Sequence, residues 1–301
     1  MNQIASIGEI LFDIFDKQKK IGGAPFNFIY HIIKLTGEGN FISRIGNDNF
    51  GKKVLEFFRQ NKISSDYLQI DSSHPTGTAK PELNNEKIPV WNITTNTAYD
   101  FIELSKEIKK LVDEKPGCIY FGTLAQREEK SRKTIQSLFN MKIKYFYDLN
   151  IRQSFYSREI IGLSLKAANV VKLNSDELTI IKELFCDPSK VSLSQDETAD
   201  FLIKKFKIDL LCITMGENGA VLFKENYSSY YQTHVNQTDI ADTVGAGDAY
   251  AAILCIGYLK NWEIGKTNKL ASEFAAEIIK VQGALPPNDL LYNYFQKEIN
   301  D

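Results

Sequence analysis

Six short β-rich runs bounded by turn residues recur along this chain, at 4–8, 40–45, 118–121, 144–148, 170–172 and 210–214. Segments with helical periodicity alternate with them at about 25–36, 50–61, 127–139, 158–167, 174–185, 196–206, 247–259 and 268–281. A chain written this way closes as an α/β protein, with a mainly parallel sheet covered by helices on both faces. Ligands of such sheets collect beyond the carboxyl ends of the strands. Two stretches break the rhythm, 10–20 and 75–98, where the text turns alternating and polar. They predict exposed hairpin strands, a small β lid over the site. Pro81 falls in one of them and is tolerable only at a sheet edge or bulge.

Composition narrows the function classes. With 301 residues, 43% of them hydrophobic, the chain can bury a large core, and we expect one domain over 1–301. The 36 basic residues are interspersed with 38 acidic ones, so no field exists to hold a nucleic-acid backbone. Cys118, Cys186, Cys212 and Cys255 are too far apart for a zinc site or a disulfide framework and read as reduced thiols. No leader pattern and no apolar run of roughly 20 residues is found, so we expect a cytoplasmic protein with no membrane contact.

The segment Asp242-Thr243-Val244-Gly245-Ala246-Gly247-Asp248 leads into Ala-Tyr-Ala-Ala-Ile-Leu-Cys-Ile, good helix-forming and core-filling material. The small residues therefore sit where a helix presents unpaired N–H groups. Gly245 and Gly247 let the main chain approach a ligand closely, and such an end favours a phosphate or a developing oxyanion. A carboxylate there, Asp248, suits removal of a proton from a hydroxyl that attacks phosphorus. Helix capping alone explains Asp248 but neither the paired glycines around Ala246 nor the second carboxylate at Asp242.

Other polar clusters keep it company. Gly8-Glu9 followed by Asp13, then Gly22-Gly23-Ala24-Pro25-Phe26-Asn27, puts a carboxylate and a carboxamide beside tight turns. Asp13 accepts and Asn27 both donates and accepts, which suits vicinal sugar hydroxyls. Tyr147-Asp148-Leu149-Asn150-Ile151-Arg152 runs from a strand into polar groups, with Arg152 free to hold a phosphate or a hydroxyl. In Lys172-Leu173-Asn174-Ser175-Asp176-Glu177, Asn174 and Glu177 could organise a hydrated Mg²⁺ or form a capping box. Thr214-Met215-Gly216-Glu217-Asn218-Gly219 reads equally as a nucleotide-side turn or an ordinary hairpin. His31, His74 and His234 show no metal spacing, and no Walker-type loop or third glycine of a dinucleotide fingerprint is present.

Taken together, these elements resemble the ribokinase-like, or PfkB-type, carbohydrate kinases over essentially the whole chain. Gly22 to Asn27 is similar to the N-terminal signature and Asp242 to Asp248 to the C-terminal one. Asn174-Ser175-Asp176-Glu177 is similar to the family's magnesium-associated element, and Thr214-x-Gly216-x-x-Gly219 to its nucleotide-side turn. The resemblance implies a three-layer sandwich with a small β lid. It implies Asp248 as the base, with the amides of Gly245, Ala246 and Gly247 stabilising the transferred phosphoryl group. Asp13, Gly23, Asn27, Arg152 and Asp242 then fall on the sugar side. Lys172, Asn174, Thr214, Gly216, Gly219 and Ser272 fall on the nucleotide side, and Glu177 serves the metal. ATP and Mg²⁺ are the implied cofactors, with a monovalent cation left open. Gly8 to Asp13, Phe121 to Arg127, Tyr147 to Gln153 and Ala98-Tyr99-Asp100 look most like fructokinases.

Two departures stand out: Ser272 occupies a place where relatives commonly carry Asn, and Val281-Gln282 replaces a usual basic pair. The expected activity is phosphorylation of a primary hydroxyl on a monosaccharide, most closely fructose. A kinase for another sugar or a nucleoside, and a non-catalytic sugar or nucleotide sensor, stand as alternatives. The lid edge offers a surface for a homodimer.

Overall fold

The computed structural model describes residues 3–15, 18–83, 89–186 and 193–300. The first half runs β1 (Ile4–Ile7), β2 (Leu11–Phe15), β3 (Gln18–Gly22), α1 (Ala24–Thr36), β4 (Asn40–Gly46), α2 (Asn49–Gln60), β5 (Leu68–Asp71), β6 (Gly77–Leu83), β7 (Pro89–Ile93) and α3 (Lys106–Asp113). There follow β8 (Cys118–Gly122), α4 (Glu129–Ser137), β9 (Lys144–Asp148), α5 (Arg158–Ala167), β10 (Val170–Asn174), α6 (Ser175–Phe185) and α7 (Gln195–Phe206). The chain ends with β11 (Leu210–Thr214), β12 (Ala220–Lys224), β13 (Tyr227–Tyr231), α8 (Ala246–Leu259), α9 (Ile264–Ile278) and α10 (Leu290–Asn300).

One large sheet has the order β13-β12-β11-β10-β9-β8-β1-β4-β5. Every neighbouring pair from β5 to β11 is parallel, and β12 and β13 continue it as antiparallel strands. All five residues of β8 are buried, because helices cover both faces. Side chains alternate across it: Cys118 and Tyr120 enter one core with α1, α8, α9 and α10, while Ile119 and Phe121 enter the other. Among the described residues no helix is long and apolar enough to cross a membrane. The four cysteines are free thiols.

The expected alternation is what is seen, with shifted boundaries. The last expected helix begins at Ile264, four residues earlier than its apolar pattern suggests, and stops at Ile278. Helices α3 and α10 and strand β5 escaped the periodicity reading. Each is short, and Leu68–Asp71 carries only two buried positions.

A second sheet of order β3-β2-β6-β7 is built from the two segments that break the alternation. Strand β2 pairs with β6 in parallel from Leu11↔Gly77 to Asp13↔Ala79. Pro81 lies beyond that ladder and faces only Trp91 of β7, so its missing N–H costs no pairing on the β2 side.

Helix α1 carries the densest aromatic packing. Phe26 sits against Phe41 (centroids 5.5 Å), Phe58 (5.6 Å) and Phe57 (6.0 Å), and Phe28 stacks on Tyr120 of β8 at 3.9 Å. Phe26 is fully buried between α2 and the sheet. Its truncation leaves a cavity that rigid neighbours cannot fill. Phe26→Ala should lower the unfolding free energy by about 3–5 kcal/mol in urea titration, since it removes both the burial and the ring contacts.

Candidate active site

Helices α1 and α8 pack together and bring their N-termini to one place. Both are entered through a glycine with a positive φ, Gly23 at 109° and Gly245 at 83°. Neither tolerates a side chain. A Cβ at Gly23 would lie 2.6 Å from the Glu9 carbonyl oxygen, and one at Gly245 would lie 2.4 Å from the Cβ of Ala284. No side chain caps either helix, so their first-turn amides remain open to a ligand.

Across this junction Asn27 Nδ2 donates to Asp248 Oδ2 at 2.8 Å, joining residues 221 positions apart. The hydrogen bond unites the two glycine-rich signatures. Asn27 Oδ1 is buried with no partner among the described residues, so the carboxamide keeps one acceptor for another group. Beneath the N-terminus of α8, Lys172 Nζ holds both oxygens of Asp148 (3.1 and 3.0 Å), and Tyr120 donates to the same carboxylate at 3.0 Å. A Cβ on Gly247 would stand 3.3 Å from that ammonium, so the small residue lets the buried cation approach the helix end.

The electrostatics favour carboxyl groups that titrate near neutrality. Burial pushes Asp248 up to about 7; the Asn27 bond opposes the shift, Asp148 adds to it, and Lys172 and Arg152 oppose it. Glu9 is also lifted to about 7 by burial, against the pull of its own amide and of Arg152. Asp13 rises to about 6 for the same reason, with Arg152 and Lys20 pulling down and Asp242 pushing up. Arg152 is exposed, its guanidinium donates to the Ile151 carbonyl at 3.2 Å, and its charge acts on all three acids. Asp242 accepts from the amides of Val244 (3.1 Å) and Gly283 (3.0 Å), tying the 242–244 turn to the loop that braces Gly245.

The remaining candidates form a second group at the carboxyl ends of β10 and β11. Asn174 and Thr214 are partners across that parallel ladder. Asn174 and Glu177 form the capping box: Asn174 Oδ1 accepts from Glu177 N at 2.9 Å, and Glu177 Oε2 accepts from Asn174 N at 2.8 Å. Glu177 Oε1 accepts from Ile151 N at 2.7 Å, and burial with the neighbouring Asp148 raises its pKa. Gly216 and Gly219 shape the hairpin between β11 and β12, closed by Met215 N donating to Gly219 O at 2.8 Å. Ser272 is buried on α9, its Oγ without a partner within the chain.

Among the described residues no three His, Cys, Asp or Glu side chains are grouped to hold a metal ion. A Mg²⁺ that arrives on nucleotide phosphates needs only one or two protein carboxylates. Glu177 is such a carboxylate: Asp148 makes its ionised form costlier, and the Lys172 ammonium offsets part of that cost. That donor set fits a nucleotide-borne ion and does not form a dedicated cage.

Several residues of this region were not singled out from the sequence as site residues: Glu9, Tyr99, Tyr120, Arg127 and Asp148. Glu9 and Asp148 had a usable signal, since each is an acid at or just past the carboxyl end of a parallel strand. Arg127 and Tyr99 lay in stretches marked only by the family resemblance, with no role attached, and the fold brings Arg127 to Asp100 with two hydrogen bonds of 2.8 Å.

Glu9 gives the site a measurable signature. Its carboxyl ionises near 7 in the folded chain against 4.5 when exposed, so the folded state keeps a proton that the unfolded chain releases. The resulting stability is full below pH 4.5 and is lost as pH rises through about 7. Glu9→Gln removes this dependence, and urea titrations should show the variant gaining on the wild type by about 3 kcal/mol across that window. A constant difference across it would show that Glu9 titrates as an ordinary exposed acid.

Known proteins share these features. The pfkB family carbohydrate kinase profile matches residues 1–290. A fructokinase of Salmonella typhimurium is 25% identical over 252 residues, 80% of this chain and 77% of its own. A putative sugar kinase of Pyrococcus horikoshii is 27% identical over 317 residues, 97% of this chain and 95% of its own. The crystal structure of that protein with ATP superposes with a TM-score of 0.81, covering 98% of this chain and 99% of the other at 24% identity. A fructokinase of Xylella fastidiosa with bound ATP superposes at 0.83, covering 99% of both chains at 17% identity. The ribokinase-like α/β fold is thus the observed one, and the chain belongs to the pfkB family of carbohydrate kinases.

Proposed function

We propose that this carbohydrate kinase moves the γ-phosphoryl group of ATP to a primary hydroxyl of a monosaccharide, and that the acceptor is fructose. The observation that carries the reading is the Asn27–Asp248 contact at 2.8 Å, set where two uncapped helix N-termini meet. Relatives named fructokinase or sugar kinase, and neighbouring structures with ATP, support the donor and the acceptor class.

In this reading Asp248 accepts the proton of the attacking hydroxyl. With a pKa of about 7 roughly half of it is ionised at neutral pH, and it is basic enough to draw a proton as the oxygen becomes more acidic in attack. The amides at Gly245, Ala246 and Gly247 face the transferred phosphoryl group and offset its charge without reorganising. Asn27 orients the base through Nδ2 and offers Oδ1 to the sugar; Asp13 and Arg152 supply an acceptor and a donor for neighbouring hydroxyls. Gly23 keeps the main chain low enough for the sugar to lie over it. Asp242 braces the amide-bearing turn beside the substrate.

On the nucleotide side Lys172, Asn174, Thr214, Gly216, Gly219 and Ser272 line the path of ATP, and Glu177 would hold a hydrated Mg²⁺, which would supply neutralisation of phosphate charge. The small sheet of β2, β3, β6 and β7 closes over the sugar and excludes water, which protects the phosphoryl group from hydrolysis.

Incubation with ATP, Mg²⁺ and a panel of sugars and nucleosides should yield a sugar phosphate, with fructose giving the highest kcat/KM. Asp248→Asn, which keeps the shape, should cut kcat by roughly 10²- to 10⁴-fold while the circular dichroism spectrum stays unchanged. Near-normal turnover in that variant would remove Asp248 as the base.

A further inference from the structure

Buried polar atoms in folded chains almost always have hydrogen-bond partners, so a cluster of them without partners calls for an explanation. Such a cluster lies between the small sheet and the catalytic junction. Glu9 is 2% exposed, Tyr99 0%, and the Arg127 side chain 3%. Glu9 Oε2, the Tyr99 hydroxyl and Arg127 Nη1 each lack a hydrogen-bond partner among the described residues. Leaving such atoms unpaired is costly, more so where they are charged.

The three side chains share one neighbourhood. The guanidinium of Arg127 lies over the Tyr99 ring, 4.9 Å from its centroid, and the charges of Glu9 and Arg127 act on each other without forming an ion pair. The Thr97 hydroxyl stands beside that of Tyr99 and donates to Asp100 at 3.3 Å. Glu9 lies within electrostatic reach of Asp248 as well, so the cluster adjoins the reacting centre.

Nothing in the packing lets these groups satisfy one another. Asp100 fixes Arg127 through Nε and Nη2, each at 2.8 Å, and Thr94 O takes a further bond from Nη2 at 2.6 Å. The guanidinium is therefore locked with Nη1 unused. Tyr99 is held from above by Gly77 of β6, where a Cβ would come within 2.5 Å of the ring. Glu9 is held by its main chain, whose carbonyl lies against Gly23. Rigid, buried and unpaired donors and an acceptor are what a site needs to read the hydroxyls of a bound ligand, because a ligand lacking them leaves the protein groups unpaired.

The geometry points to Glu9, Tyr99 and Arg127 as the specificity wall of the sugar site, reading hydroxyl groups other than the one that attacks phosphorus. Glu9 and the Tyr99 hydroxyl exchange hydrogen bonds with the sugar, and Arg127 Nη1 donates to one of its oxygens. This inference rests on the sugar-kinase reading, and its test separates the two.

Sugar binding is measured by calorimetry without nucleotide on the full chain and on Tyr99→Phe and Glu9→Gln, against a panel of ketoses and aldoses. ATP turnover of each is followed in parallel. Each variant should bind the preferred sugar roughly ten-fold or more weakly, while ATP binding is unchanged. Each should also discriminate less between that sugar and its singly deoxygenated analogues. If both variants bind and discriminate as the wild type does, the wall is overturned and the kinase reading stands. If the variants bind sugar weakly as expected but the wild type never phosphorylates it, the wall stands and the kinase reading falls. A wild type that binds no sugar overturns both.

Discussion

A carboxylate held where two helices begin is the constraint around which this structure is arranged. Asp248 belongs to the first turn of α8, where the helix dipole favours negative charge, yet burial outweighs that help and lifts its pKa to about 7. Asn27 from α1 holds it at 2.8 Å. For that contact to exist, α1 and α8 must pack side by side, with α1 seated on β1 and β8. Their apolar faces do this, with Phe28 on Tyr120 and a nearly uniformly buried run from Ala249 to Gly257. The core thus sets the distance between two polar groups whose chemistry needs a tolerance of well under 1 Å.

A second buried pair supports the first. Lys172 and Asp148 lie almost wholly inside the protein, bonded to each other and to Tyr120. Isolated, either charge would be costly there; together, with the phenol, they form a satisfied network beneath the opening of α8. Gly247 lets the Lys172 ammonium reach the helix end, so the network supplies positive charge under the amides that the proposed mechanism uses. The glycines of the C-terminal signature therefore serve two needs: Gly245 turns the chain against Ala284, and Gly247 leaves room for a cation.

Much of this was legible in the sequence for identifiable reasons. Strands such as Cys118–Gly122 are short continuous apolar runs because both faces are covered, and their alternation with helices dictates a parallel sheet. Asp248, Asn27 and the glycines were legible because they are local signatures. Glu177 was readable as metal ligand or cap, and the capping box it forms with Asn174 is present; a carboxylate with both oxygens on amides can still face a hydrated ion. What could not be read is long-range. Arg127 meets Asp100 and Tyr99 only after β8 and the lid strands are in place, and no spacing announces it. Strand β5 was missed because an edge strand that buries two of four residues shows no alternation; α3 and α10 do carry a helical period, at Ile108, Leu111 and Val112 and at Tyr292, Phe295 and Ile299, and it went unread.

The account depends on Asp248 being held in a site that makes its ionised form costly. The most direct measurement is the titration of its side-chain carboxyl carbon by ¹³C NMR, in the ligand-free protein and assigned by Asp248→Asn. A midpoint near 7 is expected from the burial that Asn27 and Lys172 only partly offset. A midpoint near 3.8, the value of an exposed aspartate, would contradict it and place the carboxylate in open solvent, away from the junction of the two helices.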